Sequence, residues 1–221
     1  MMTPMDFLLL VRGPLFNLAL AILVLGLIAR FVEVFMLGRH ANLAEPRGSA
    51  TLSGFKTIYT RFLAPDAIIV RRAPFDYYVG ILWHVGFTLA MLFFIPHAEL
   101  IRKTFGIAWP GLPNPLIDAI TAITLLSLVV VLVRRWMDPI KRYISKPEDY
   151  LVWTLTFLPV LTGYLAYHRL VNPYPLILGL HIFSVELFMI ALPFTKLTHI
   201  FTAFVARWFN GANFGYKGVQ S

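Results

Sequence analysis

The sequence predicts an all-α integral membrane bundle of five transmembrane helices, with the N-terminus outside and the C-terminus cytoplasmic. Three observations carry that prediction. Hydrophobic residues fill 58% of 221 positions, and the mean hydropathy is +0.73. Only 14% of residues are charged, against roughly 25% in an ordinary soluble domain. The apolar residues fall in five runs, each near or above the roughly 20 residues that a helix needs to cross a bilayer.

The first run covers 14–36, where Pro14 suits a helix start because its missing N–H is one the first turn leaves unpaired anyway. The second covers 76–95 and is closed by Pro96. The third, 115–133, stops abruptly at Arg134 and Arg135, and the fourth covers 149–167. A fifth run, 174–205, is longer than a span requires, so it is expected to tilt, to kink at Pro193 or to leave the membrane. Together they make a single membrane domain over 1–221, with one long connection at 37–75.

Lys and Arg concentrate in cytoplasmic loops, and their distribution orients the bundle. The first connection carries Arg39, Arg47, Lys56, Arg61, Arg71 and Arg72; the third carries Arg134, Arg135, Lys141, Arg142 and Lys146; the tail adds Arg207 and Lys217. The second has only Arg102 and Lys103, and the fourth only Arg169. This count places the N-terminus outside and the C-terminus inside. The net charge of +8 is therefore topological and does not point to nucleic acid. No signal-peptide pattern precedes the first run, which is read as a retained span. Cysteine is absent, which excludes disulfides and thiolate-held iron–sulfur clusters within the chain. The first connection reads either as a docking surface for a cytoplasmic partner or as a basic, lipid-hugging linker, and its mildly amphipathic stretch Phe55–Phe62 is suited to lie on the membrane surface.

Histidines supply the candidate chemistry. His181 and His199 are eighteen residues apart, five turns and about 27 Å on a continuous helix, which would point both rings the same way toward opposite membrane faces. Each is a candidate axial ligand for a separate haem. Intramembrane ionisable groups are costly and are usually functional. His84 lies about 12 Å into the second span, at a depth compatible with His199. His97 follows Pro96 at the outer end and is a candidate partner for His181, although an ideal helix would turn it about 220° away from His84. An interfacial position or a part in a quinone pocket are its other readings. His168 is the rival partner for His181 or, beside Arg169 and the Asn172–Pro173 turn, an interfacial residue, and His40 is expected to face solvent. These four, His84, His199, His181 and His97, are the candidate metal ligands.

Glu186 is the carboxylate deep within a span, read either as part of a proton path or as an interhelical hydrogen-bonding group. Arg71, Arg72, Arg102, Lys103 and Lys196 flank the membrane where haem propionates or quinone would reach, and snorkelling anchors explain the same residues. Trp83, Phe93, Phe94 and Phe183 are available to pack on porphyrin faces or simply on one another.

The run LHIFSVELFMIALPFTKLTHIF, Leu180–Phe201, resembles the fifth helix of the respiratory nitrate reductase gamma subunit family. That family includes the membrane cytochrome b subunits linked to heterodisulfide reductases, dissimilatory sulfite reductase and hydrogenases. The shared elements are His181, the PFTKL stretch Pro193–Leu197 and His199; WHVG, Trp83–Gly86, resembles the inner-haem motif on the second helix. The resemblance implies a dihaem b subunit exchanging electrons between quinone and a cytoplasmic iron–sulfur protein, with His84 and His199 on the inner haem and His181 on the outer. Phe94 stands where nitrate reductase gamma subunits place the fourth ligand, ten residues after the first. The nearest substitute is His97, which also matches a Pro-His pair found beyond that ligand. The long first connection and Glu186 are closer to the heterodisulfide reductase and hydrogenase-linked branch.

The expectation is thus an electron-transfer subunit of a quinone-linked oxidoreductase complex, carrying two haems b and no catalytic residue of its own. Two alternatives stand beside it: a haem-free anchor for a soluble redox complex, and a small proton-coupled transporter. The second expects two similar halves with interrupted helices, and five unequal runs offer no such symmetry.

Overall fold

A computed structural model describes residues 2–37, 43–63 and 67–219, and among these every regular element is helical. Five helices are long and apolar enough to cross a membrane: Pro4–Met36 (α1), Pro74–Phe93 (α4), Asn114–Met137 (α6), Pro147–Tyr167 (α8) and a last span at Tyr174–Phe194. Between them lie Ala50–Leu63 (α2), Ala67–Arg72 (α3), Ile95–Phe105 (α5) and Pro139–Ile144 (α7). The last span consists of Tyr174–Ala191 (α9) and the 3₁₀ turn Leu192–Phe194; a second 3₁₀ turn, Lys196–Thr198, leads into His199–Tyr216 (α10). Only 6–33% of each spanning window is buried, so most of these apolar side chains face outward, as a lipid solvent allows and water does not.

The first span starts ten residues before the expected position. Thr3 and Asp6 form a reciprocal capping box at its N-terminus. Pro14 lies inside the helix, in a π-helical turn at Val11–Leu15 that absorbs its missing donor. The third span also runs on through Arg134 and Arg135 to Met137.

A larger correction concerns the fifth run, which is not one helix to 205. It breaks after Ala191, where Pro193 cannot donate and Thr195 is fully extended (φ −122°, ψ −179°). Threonine hydroxyls satisfy the freed backbone: Thr195 donates to the Ala191 carbonyl at 2.9 Å, and Thr198 donates to that of Leu192 at 2.9 Å. His181 and His199 therefore sit on separate helices, and the five-turn register between them does not hold.

The chain divides into two compact units. The first combines Met1–Ile22 with Phe75–Ile190. Here α6 and α8 pack together, with the Trp153 indole donating to the Leu128 carbonyl at 2.9 Å. Buried Thr124, Ser127 and Thr156 donate to carbonyls four residues back, so they cost the apolar interior no unpaired hydroxyl. Gly86 on α4 gives Thr124 room, because a Cβ there would collide with its hydroxyl. At one end of α4 and α6, Asp76 pairs with Arg134 at 3.2 Å and Lys141 at 2.6 Å.

The second unit combines Leu23–Pro74 with Ala191–Ser221. Its core is the crossing of α2 and α10, where Gly211 and Gly215 lie against Thr57 and Ser53 with no space for a side chain. Arg30, within the first span, donates from Nε to the Pro193 carbonyl at 2.7 Å and pairs with Glu33 at 2.7 Å. This intramembrane arginine escaped the sequence reading; its function in the fold is to serve a carbonyl at the broken helix end.

Candidate functional site

The site is built at the C-terminal end of α4. Phe94 leaves the helix in an extended conformation (φ −69°, ψ 126°), and α5 starts anew with Pro96 in its first turn. A helix end leaves its last carbonyls without intrahelical donors. Here the Trp109 indole reaches the Leu92 carbonyl at 2.8 Å, the Leu112 amide that of Phe93 at 2.9 Å, and the His97 ring that of Ala90 through Nδ1 at 3.0 Å. The break thus turns His97 away from its ideal-helix direction and fixes the ring by hydrogen bonding.

His181, on α9, faces it. The two rings have centroids 5.9 Å apart and planes only 20° from parallel. His181 Nδ1 lies 3.1 Å from the Pro159 carbonyl of α8, with the Thr162 hydroxyl at 3.4 Å. Each ring is thereby held with its proton on Nδ1 and its Nε2 lone pair available to a metal. An imidazole nitrogen binds a metal at about 2 Å and the ring centre lies about 1 Å behind it, so two axial imidazoles on one ion have centres about 6 Å apart. The observed pair meets that spacing. Burial also holds the His97 imidazole below its ordinary range, favouring the neutral form that ligates.

Gly163 is a site residue that the sequence reading missed. A Cβ there would stand 2.9 Å from His181 Cε1 and 3.2 Å from Nδ1, so only glycine lets α8 approach the ring this closely. Nothing in the sequence distinguishes it from any other glycine in a span. Phe94 packs edge-on against His97 at 5.1 Å and against Tyr167 at 5.7 Å, lining the site without ligating.

The other predicted residues fall as follows. His84, in the first unit, stacks on Trp83 at 3.5 Å and holds the Gly80 carbonyl through Nδ1 at 2.7 Å. His199, in the second unit, does the same with the Lys196 carbonyl at 2.6 Å. All four candidate ligands therefore share one tether, Nδ1 on a backbone carbonyl. His168 differs: its Nε2 bonds Asp118 at 2.7 Å, and it is not paired with His181. His40 lies outside the described residues. Arg102 and Lys103 are paired with Glu99 at 2.6 and 3.5 Å. Arg71 and Arg72 are exposed at the end of α3, and Lys196 is exposed in the 3₁₀ turn before His199. Phe183 meets Phe7 edge-on at 6.3 Å, and the Phe93 carbonyl is the one taken by Leu112. Glu186 is 2% exposed, and neither carboxylate oxygen has a hydrogen-bond partner among the described residues. No group of three or more metal-ligating side chains occurs among the described residues, so the donor sets are histidine pairs at most.

No protein-family model matches the chain, and no solved structure matches it. A protein of Nitratidesulfovibrio vulgaris is 31% identical over 212 residues, covering 93% of this chain and 92% of that protein; its name, simply "Protein", assigns it no activity. This multi-pass helical chain belongs to the same family as that bacterial protein.

Proposed function

We propose that the chain is a haem b membrane subunit of a respiratory oxidoreductase complex, similar to the nitrate reductase gamma subunits, in a prokaryotic cytoplasmic membrane. It passes electrons between membrane quinone and a cytoplasmic iron–sulfur partner. The observation that carries the reading is the His97–His181 pair: two rings at 5.9 Å, each tethered at Nδ1. Haem b, when bound, supplies a one-electron couple, and bis-histidine ligation leaves it no open position for substrate.

His97 and His181 hold the outer haem in this reading, and His84 with His199 the inner one. The inner pair rests on the sequence resemblance and on the shared Nδ1 tether. The N-outside, C-inside topology rests on the Lys and Arg distribution. The Asp76–Arg134–Lys141 cluster puts the start of the second span and the end of the third on one side of the bundle, whichever side of the membrane that is. Arg71, Arg72 and Lys196 remain candidates for propionate or quinone contacts, whereas Arg102 and Lys103 must first release Glu99.

Haem b content per chain, with a reduced-minus-oxidised spectrum and a redox titration, tests the reading. Two haems with separate potentials are expected, His97→Ala removing the outer and His199→Ala the inner. A colourless protein would leave the haem-free anchor in its place.

A further inference from the structure

We propose that His168, oriented by Asp118, accepts the proton when quinol is oxidised beside the outer haem; this rests on the function proposed above. His168 ends α8 and Asp118 lies on α6, with Nε2 and Oδ1 2.7 Å apart. The carboxylate accepts the Nε2 proton, which fixes the tautomer and leaves the basic lone pair on Nδ1, an atom with no partner among the described residues. Both side chains are about one-third exposed, at 31% and 32%, and His168 caps the end of α8 beside the 169–173 turn, where a span gives way to its loop.

The surroundings suit a flat aromatic substrate. Tyr164 and Tyr167 flank the imidazole at 4.4 and 5.0 Å. Tyr167 meets Phe94 at 5.7 Å, Phe94 meets His97 at 5.1 Å, and His97 faces His181 at 5.9 Å. An unbroken series of ring contacts therefore joins the base to the ligand pair. Oxidation of one quinol breaks its two O–H bonds and yields quinone, two electrons and two protons. The oxidant would be ferric haem b, which His97 and His181 would hold and which would take the electrons one at a time. Each proton passes to His168 Nδ1 and on to water before the next is taken.

The test uses the haem-loaded protein in membranes, with menadiol as reductant and 2-heptyl-4-hydroxyquinoline N-oxide as a fluorescent binding probe. His168→Gln is expected to weaken probe binding about tenfold and to slow haem reduction by menadiol about 10²-fold, the lower end of general-base effects. Haem content and the dithionite-reduced spectrum stay unchanged. Asp118→Asn, which alters the orienting group alone, is expected to slow reduction while keeping probe binding within about twofold. A brace between α6 and α8 would instead lower thermal stability in both variants and leave binding and reduction intact, which overturns the proposal. Loss of one haem in His168→Gln would make His168 a ligand and overturn it as well. A wild-type protein without haem would sink the parent function, whereas haem-replete variants with wild-type binding and reduction sink only this inference.

Discussion

Gly163 sets how closely α8 approaches the His181 ring, since any larger residue would place its Cβ 2.9 Å from Cε1. Gly163→Val is expected to displace the imidazole from the Pro159 carbonyl and to halve haem content from two per chain to one, as read by pyridine haemochrome. Folding of the span should survive, because valine is tolerated in an apolar helix. Glu186 poses the opposite problem, a carboxyl buried with no hydrogen bond among the described residues. An unsatisfied buried polar group costs about 1–3 kcal/mol. Glu186→Leu is therefore expected to raise unfolding stability in detergent by about that amount, and a fall would reveal a partner supplied by water or another subunit. At this scale the sequence offered His97 as a candidate partner of His181 beside its rival His168, and the His97 and His181 rings do face each other at 5.9 Å; the turn that brings them together was not readable. His97 lies about 220° from His84 on an ideal helix, and only the backbone departure at Phe94 brings it to His181. That departure goes with Pro96, which cannot donate to the Leu92 carbonyl and leaves it to the Trp109 indole, and periodicity does not encode it.

The spans were the most legible elements, because lipid requires long apolar runs and leaves little latitude. Boundaries failed where a polar group or a proline changed the backbone accounting. The Thr3–Asp6 capping box moved one start, and the extended Thr195 ended the last span early. In the connection at 37–75 the amphipathic stretch Phe55–Phe62 falls within α2, but the crossing of α2 with α10 depends on small residues that hydropathy ignores. Gly211→Val is expected to force Thr57 and the Ser53 carbonyl away, costing about 1–3 kcal/mol by overpacking. Faster proteolysis of α2 in the variant would register it. On α5, Arg102 first and then Lys103 hold the Glu99 carboxyl down at about 2, well below its usual value. A lowered folded-state pKa gives stability that is fully present above the unfolded value and is lost as pH falls through the folded one. The Glu99 pairing is thus expected to persist from neutral pH to about pH 4 and to disappear only toward about 2. A carboxyl-carbon NMR titration should show that midpoint, returning to the ordinary range in Arg102→Ala.

For the whole molecule, the proposed function makes orientation decide which haem would meet quinone and which the cytoplasmic partner. The argument is one of charge: Lys and Arg are retained on the cytoplasmic side, and this chain places most of its basic residues in the first and third connections and the tail. Under the proposed orientation those connections are expected inside, with α5 and the 168–173 turn outside. Absence of cysteine makes this directly measurable, because each introduced thiol is the only one in the chain. Thr104→Cys and Asn172→Cys are expected to react with a membrane-impermeant maleimide added to intact cells. Ser49→Cys and Lys217→Cys should react only after the membrane is opened. The reverse pattern would exchange the haems' sides, putting the His97–His181 pair toward the cytoplasm and removing the reason to place quinol oxidation beside His168. Basic residues serving mainly as partner contacts would leave topology to other forces, so labelling separates a charge-oriented bundle from one oriented by its assembly.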